Sequence, residues 1–291
     1  MTTLVGQVFG SLPASVRRLV PVELQADLRD RYGQWEPGDI GFEPDAPTAA
    51  RGERTGPPDF IVLGPAECGA RWWMSLIADH PGVAPTHSVD GAAHVFDRYC
   101  TEGFGDGEIA RFHAFFPRRP GRIVGHWSAD GLSYPWIAPL LARAAPGAKI
   151  IVLVRDPVAV VMDRLAATAG TRRPSGGADL ADAVDRGFFG AQLERLHDLF
   201  PAALVQVLQY EQCVSDAPGA LARTYEFLGL GGSDRPVLPH PIGHVSGNPG
   251  DRLSAATRSR LQALYADDVA RLTQLTADVD LARWPNFVPE H

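Results

Sequence analysis

Asp59-Phe-Ile-Val-Leu-Gly-Pro-Ala-Glu-Cys-Gly-Ala-Arg-Trp-Trp73 is the stretch that decides the fold. Phe60 to Leu63 is an apolar run short enough for a buried strand. The chain then turns through Gly64 and Gly69 and enters a helical pattern with Trp72, Trp73, Leu76 and Ile77 on one side. Strand, glycine turn and helix together present backbone N–H groups and a helix N-terminus to an anion. Gly64-x-x-x-x-Gly69 has the glycine spacing of a phosphate loop, whose next two residues are normally Lys and Ser or Thr. Here they are Ala70 and Arg71, and the turn itself carries Glu67. The backbone pattern predicts an anion site, while the side chains agree only in part.

The same alternation runs through the rest of the chain. Lys149 to Val154 is, after its opening lysine, rich in β-branched residues and continuously apolar, the pattern of a central parallel strand buried on both faces. Arg122–His126 and Leu204–Leu208 are shorter strand candidates. Helices are expected over 107–116, 134–145, 158–169, 179–200, 217–228 and 254–276, the last with Ser254 as N-cap. Strand and helix in alternation imply an α/β protein with a mostly parallel central sheet flanked by helices. Residues 1–58 are expected to stand apart from a main domain at 59–291. Ser15–Tyr32 can form a helix, and 33–58, rich in Gly, Pro, Asp and Glu, read as an extended arm. That arm is either a leader without fixed structure or a strap over the domain or over a second copy in a homodimer.

Composition narrows the function. The 291 residues carry a net charge of −7, which argues against a general nucleic-acid or anionic-membrane binder, so any anion site must be a local cluster. Three cysteines, Cys68, Cys100 and Cys213, have neither zinc-site nor disulfide-framework spacing and fit a reducing cytoplasm. Leu4–Leu12 lacks the flanks of a signal peptide, and no apolar run approaches the roughly 20 residues of a membrane span. His240 and His244 lack a spaced carboxylate partner, so no metal site is expected. A phosphate-loop kinase is disfavoured because the loop lysine and a downstream magnesium carboxylate are missing.

In an open α/β sheet, ligands sit beyond the carboxyl ends of the strands. Two such ends stand out, Gly64–Arg71 and Arg155–Asp163, one offering a backbone cradle and the other a guanidinium suited to a bidentate grip on phosphate. Glu67 is a candidate general acid or base, or else an ion-pair partner of Arg71. Cys68 lies near a helix N-terminus, where a thiol pKa can fall. Asp163 is read chiefly as a salt-bridge partner.

These features, with Pro57-Pro58-Asp59-Phe60, His80-Pro81, His94-Val95-Phe96-Asp97-Arg98, Gly125-His126-Trp127, Arg155-Asp156-Pro157-Val158, Leu208-Gln209-Tyr210-Glu211, Phe227-Leu228-Gly229-Leu230 and a terminal Trp-Pro-Asn-Phe, are in order and spacing similar to one family. The chain resembles sulfotransferases that use the nucleotide donor PAPS (3′-phosphoadenosine 5′-phosphosulfate), more closely the actinobacterial-type sulfotransferase-domain proteins. The resemblance implies a P-loop-like sulfotransferase fold and sulfuryl transfer to a hydroxyl or amine of a small metabolite. It implies that Gly64, Cys68, Gly69, Ala70 and Arg71 cradle the 5′-phosphosulfate. Arg155 and Asp163 fall at the family's 3′-phosphate pair of Arg and Ser, and His94 and His126 lie where its pocket would be. The family's loop lysine is replaced by Glu67 and its general base by Ala92. A carboxylate about 4 Å from a phosphosulfate would repel it by roughly 4 kcal/mol at an effective dielectric near 20. Two alternatives therefore stand beside PAPS-dependent transfer. One is a repurposed enzyme using Glu67, His94, His126 and Asp163 for acid–base chemistry such as cyclisation or elimination. The other is a non-catalytic relative.

Overall fold

A computed structural model of the chain describes residues 54–85, 95–100, 103–128, 131–168, 177–232 and 253–288. Five strands form one sheet: β1 (Phe60–Leu63), β2 (Val83–Ala84), β3 (Ile123–Ser128), β4 (Lys149–Val154) and β5 (Val205–Gln209). Their order is β2-β3-β1-β4-β5, and every pairing is parallel. β1 is central, with Phe60 level with Gly125 of β3 on one side and Lys149 of β4 on the other. It is buried at all four residues, which is why its sequence is continuously apolar rather than alternating. The chain leaves β1 toward β2 and β3 and later returns on the other side to β4 and β5. The order therefore reverses at β1, and a crevice opens above its carboxyl end.

The helices are α1 (Ala70–Ala78), α2 (Asp106–His113), α3 (Ile137–Ala144), α4 (Pro157–Thr168), α5 (Gly177–Asp185), α6 (Phe189–His197), α7 (Tyr210–Ser215), α8 (Ala217–Leu228) and α9 (Ala255–Leu275). α8 ends where Gly229 takes a left-handed φ of 77°. α9 starts where the Ser254 hydroxyl accepts from the Thr257 N–H at 3.1 Å. The single helix expected over 179–200 is in fact two, α5 and α6. Gly187 lies at the break, where a Cβ would stand 2.7 Å from the Tyr265 hydroxyl. That hydroxyl donates to the Val184 carbonyl at 2.6 Å, so α9 holds the end of α5. Asp268 of α9 then caps α6 by accepting from the Gly190 and Ala191 N–H groups, each at 2.8 Å. α7 is a short helix absent from the sequence expectation.

Residues 1–53, which include the expected N-terminal helix and most of the arm, lie outside the described residues. Just before β1, the chain is tied to the loop after α2. Thr55 bridges Pro117, and Arg118 grips the Asp59 carboxylate with Nη1 at 2.7 and 2.6 Å and donates to the Pro57 carbonyl. Asp59 also accepts from the Val124 N–H at 2.8 Å, which sets the level at which β1 enters beside β3.

Candidate functional site

The turn after β1 is built by backbone geometry. Gly64 has φ 140°, a conformation disfavoured for other residues, and a Cβ there would stand 2.8 Å from the Leu153 carbonyl oxygen of β4. Ala66–Cys68 forms one 3₁₀ turn, closed by Gly69 at φ 76°. α1 begins at Ala70, so its N-terminus, with the positive end of its dipole, faces the crevice at the sheet's reversal point. Ala70 is buried and Arg71 is exposed on the first turn of α1. The expected pairing of Glu67 with Arg71 is not what forms. The i,i+4 relation needs both residues on one helix, and Gly69 breaks the helix between them. Glu67 instead meets Arg164 of α4, with Oε1 3.6 Å from Nη1, and its side chain is only 9% exposed. Arg164 also reaches Asp182 of α5 at 3.1 Å, and Asp182 accepts from Arg186 at 3.0 and 3.1 Å. The Glu67 carboxylate is thus held in a chain of alternating charges.

Arg155 leaves the end of β4 and crosses to the β1 turn. Its Nη1 donates to the Glu67 carbonyl at 2.5 Å and to Asp163 Oδ2 at 2.6 Å. Its guanidinium lies over the Tyr210 ring, 4.5 Å from the centroid, and a Cβ on Gly69 would touch the same ring at 3.1 Å. Tyr210 therefore spaces the two strand-end loops. The side chains of Arg155 and Asp163 are 12% and 17% exposed, so the pair is largely withdrawn from water. Both expected strand ends do converge, with Asp163 as partner of Arg155.

Cys68 lies in the turn but is fully buried, and burial pushes its thiol well above the ordinary value, opposed only in part by the charge of Arg155. The lowered pKa expected near a helix N-terminus does not arise, because desolvation disfavours the thiolate. His94 and Ala92 lie outside the described residues, as do His240 and His244. His126 sits on β3, 2% exposed, edge-on to Phe96, Phe112 and Phe116 at centroid distances of 6.3, 5.1 and 5.7 Å. Neither ring nitrogen has a hydrogen-bond partner among the described residues. Burial lowers its pKa to about 3. An imidazole so hard to protonate is a weak base at neutral pH, so these surroundings are wrong for the expected proton acceptor.

That environment predicts an acid-sensitive fold. Between pH 6.5 and about 3 the unfolded chain protonates His126 and the folded chain does not. Stability is then full above pH 6.5 and falls as pH drops, by about 1.4 kcal/mol per unit from this group. The His126→Phe variant, matched to its aromatic cage, should unfold in urea within about 1 kcal/mol of wild type at pH 7.5 and be the more stable protein at pH 4.5. A loss above about 2 kcal/mol at both pH values would refute this account.

Sequence reasoning gave no role to the residues that fix Arg155 from behind. Asp156 is 1% exposed; Oδ1 caps α4 by accepting from the Val158 and Ala159 N–H groups at 3.0 and 3.3 Å. Oδ2 accepts from the backbone and side-chain nitrogens of Asn286 at 3.2 and 2.8 Å. Glu211 of α7 accepts from the Asp156 N–H at 3.1 Å and from Trp284 Nε1 at 2.9 Å. An Asp followed by Pro at a helix start is a legible cap signal; the long-range partners were not legible. Among the described residues no three His, Cys, Asp or Glu side chains are placed to hold a metal, and no helix is long and apolar enough to cross a membrane.

A family model described as "Sulfotransferase family" matches residues 2–234. The chain is 25% identical over 270 residues to mouse heparan sulfate glucosamine 3-O-sulfotransferase 6, covering 80% of this chain and 76% of that one. The human protein of the same name is similar at 25% over 271 residues, with the same coverage. Among solved structures, a sulfotransferase from Alicyclobacillus acidocaldarius superposes with a TM-score of 0.61 at 23% identity, covering 78% of this chain and 98% of that one. The sulfotransferase domain of the Synechococcus PCC 7002 olefin synthase superposes at 0.50 with 16% identity, covering 80% and 100%. The expected fold is the one these structures share.

Proposed function

The chain belongs to the sulfotransferase family, and from that premise we propose that it binds an adenine nucleotide bearing a 5′-phosphosulfate between the β1 turn and Arg155 and transfers its sulfuryl group to a hydroxyl or amine of a small metabolite, which gives up a proton, with the nucleotide 5′-phosphate as leaving group. One observation carries the proposal. Arg155 at the end of β4 and the glycine turn at the end of β1 meet at the sheet's reversal point, joined by the 2.5 Å bond from Arg155 to the Glu67 carbonyl. An anion at the turn would meet the α1 N-terminus, with Arg71 on the first turn of that helix. The net charge of −7 favours a small acceptor over a polyanionic chain.

PAPS, the donor implied by the resemblance, fits this site at one end and not at the other. The backbone of the turn suits its phosphosulfate, with the Glu67 carboxylate paired to Arg164. The corner at Arg155 does not suit its 3′-phosphate, because the guanidinium already carries the Asp163 carboxylate at 2.6 Å. A second proposal is favoured by Glu67: a carboxylate replaces the cation that would stabilise the leaving phosphate, so the scaffold serves acid–base chemistry on another small molecule without a nucleotide donor. Calorimetric titration with adenosine 5′-phosphate and with adenosine 3′,5′-bisphosphate separates the two. Saturable binding of at least one nucleotide is expected. No heat with either at millimolar concentration would overturn nucleotide binding and favour the second proposal.

A further inference from the structure

Asp163 lies seven residues into α4 from its cap Asp156, and its carboxylate faces the end of β4. Oδ2 is taken by Arg155. Oδ1 meets no donor among the described residues, although the side chain keeps 17% of its exposure. The guanidinium beside it is engaged by Asp163, by the Glu67 carbonyl and by the Tyr210 face. Only Nη1 makes those hydrogen bonds, so the corner offers an incoming group the Asp163 Oδ1 acceptor and the Nη2 and Nε donors of a cation whose charge Asp163 already neutralises. A carboxylate is acceptor-only and needs a donor. A hydroxyl supplies one; a phosphate supplies none and brings a second negative charge. Dinucleotide sites make the same choice, with a carboxylate taking a ribose hydroxyl and an arginine taking a phosphate.

We infer that Asp163 determines nucleotide specificity at this corner: it accepts a ribose hydroxyl and turns away a phosphate, so the nucleotide used by this protein carries no 3′-phosphate. This presupposes nucleotide binding between the β1 turn and Arg155, and it narrows the ligand to adenosine 5′-phosphate derivatives with a free 3′-hydroxyl. Relative to an uncharged residue at position 163, a carboxylate about 4 Å from a phosphate at an effective dielectric near 20 weakens its binding by on the order of a hundredfold to a thousandfold.

The test is calorimetry on the full chain with adenosine 5′-phosphate and adenosine 3′,5′-bisphosphate, for wild type, Asp163→Ser and Asp163→Asn. Wild type should bind the 5′-phosphate at least tenfold more tightly than the bisphosphate. Asp163→Ser, which frees Arg155, should reverse that order, and Asp163→Asn, which removes the charge at constant shape, should narrow the gap at least tenfold. Wild-type preference for the bisphosphate would overturn the role of Asp163 while leaving nucleotide binding intact. Unchanged preference in the variants would overturn it equally. Failure of wild type to bind either nucleotide would overturn nucleotide binding and, with it, the role of Asp163. The wild-type ratio decides the matter even where a variant fails to fold.

Discussion

Arg155→Ala should abolish detectable nucleotide binding and lower the stability of the fold by about 3 kcal/mol, the low end of the cost of orphaning one member of a buried ion pair. Three contacts vanish at once: the 2.6 Å pair with Asp163, the 2.5 Å bond to the Glu67 carbonyl and the stacking on Tyr210. What remains is a carboxylate with little water around it and a carbonyl without a donor. The low end applies because Asp163 retains 17% of its exposure and can recover some hydration. Adding Asp163→Ala removes the orphaned charge, so the double variant should lie within about 1–2 kcal/mol of wild type, less destabilised than Arg155→Ala alone. Nucleotide binding should not return, since no guanidinium then remains at the end of β4. Urea unfolding of the four proteins closes the cycle. Additive losses would show that the pair contributes nothing as a pair, and retained binding in Arg155→Ala would remove the guanidinium from the site.

Much of this architecture was legible because it is local or periodic. Lys149–Val154 could be placed to the residue because a strand buried on both faces leaves no polar position after its opening lysine. The turn after β1 was legible through Gly64 and Gly69, since few other residues fit those backbone angles. The break between α5 and α6 was not, because it depends on Tyr265 of α9 approaching Gly187 from far along the chain. The site's electrostatics were hidden for a similar reason. The Glu67–Arg71 expectation followed a helical spacing that Gly69 interrupts, and the true partner, Arg164, lies on another helix. His126 looked like an acid–base residue in the sequence. Its three phenylalanine neighbours come from segments before, along and just after α2, and only their assembly makes the pocket apolar. Arg155 with Asp163 was readable as a pair; that the same guanidinium also bonds the Glu67 carbonyl and lies over the Tyr210 ring required the distances.

Asp156→Ala should cost the most stability of any single change outside the hydrophobic core, about 3–5 kcal/mol. Its carboxylate serves two structures at once. Oδ1 caps α4, and loss of such a cap costs about 0.5–2 kcal/mol. Oδ2 holds both nitrogens of Asn286, and a hydrogen bond to a buried charged acceptor is worth about 1.5–3 kcal/mol, with its donor left unsatisfied when the acceptor is removed. The residue is 1% exposed, so water does not easily replace what is lost. The expected drop in melting temperature is roughly 10 °C, at about 2–4 °C per kcal/mol for a domain of this size. Asp156→Asn distinguishes cap from latch. Its amide oxygen can still cap α4, but its amide nitrogen then faces the donors of Asn286. Asn286 cannot turn its own oxygen inward without giving up the 2.9 Å bond it accepts from Arg258. The Asn variant should therefore keep α4 and release the C-terminal segment, seen as hydrogen exchange rising around Trp284–Phe287 with little change at Val158 and Ala159. Because Arg155 is the residue before Asp156, the same loosening should weaken nucleotide binding without any contact to the ligand. A melting temperature for Asp156→Ala within about 3 °C of wild type, near the effect of a single kcal/mol, would show that the terminal Trp-Pro-Asn-Phe segment does not hold the end of β4 in place.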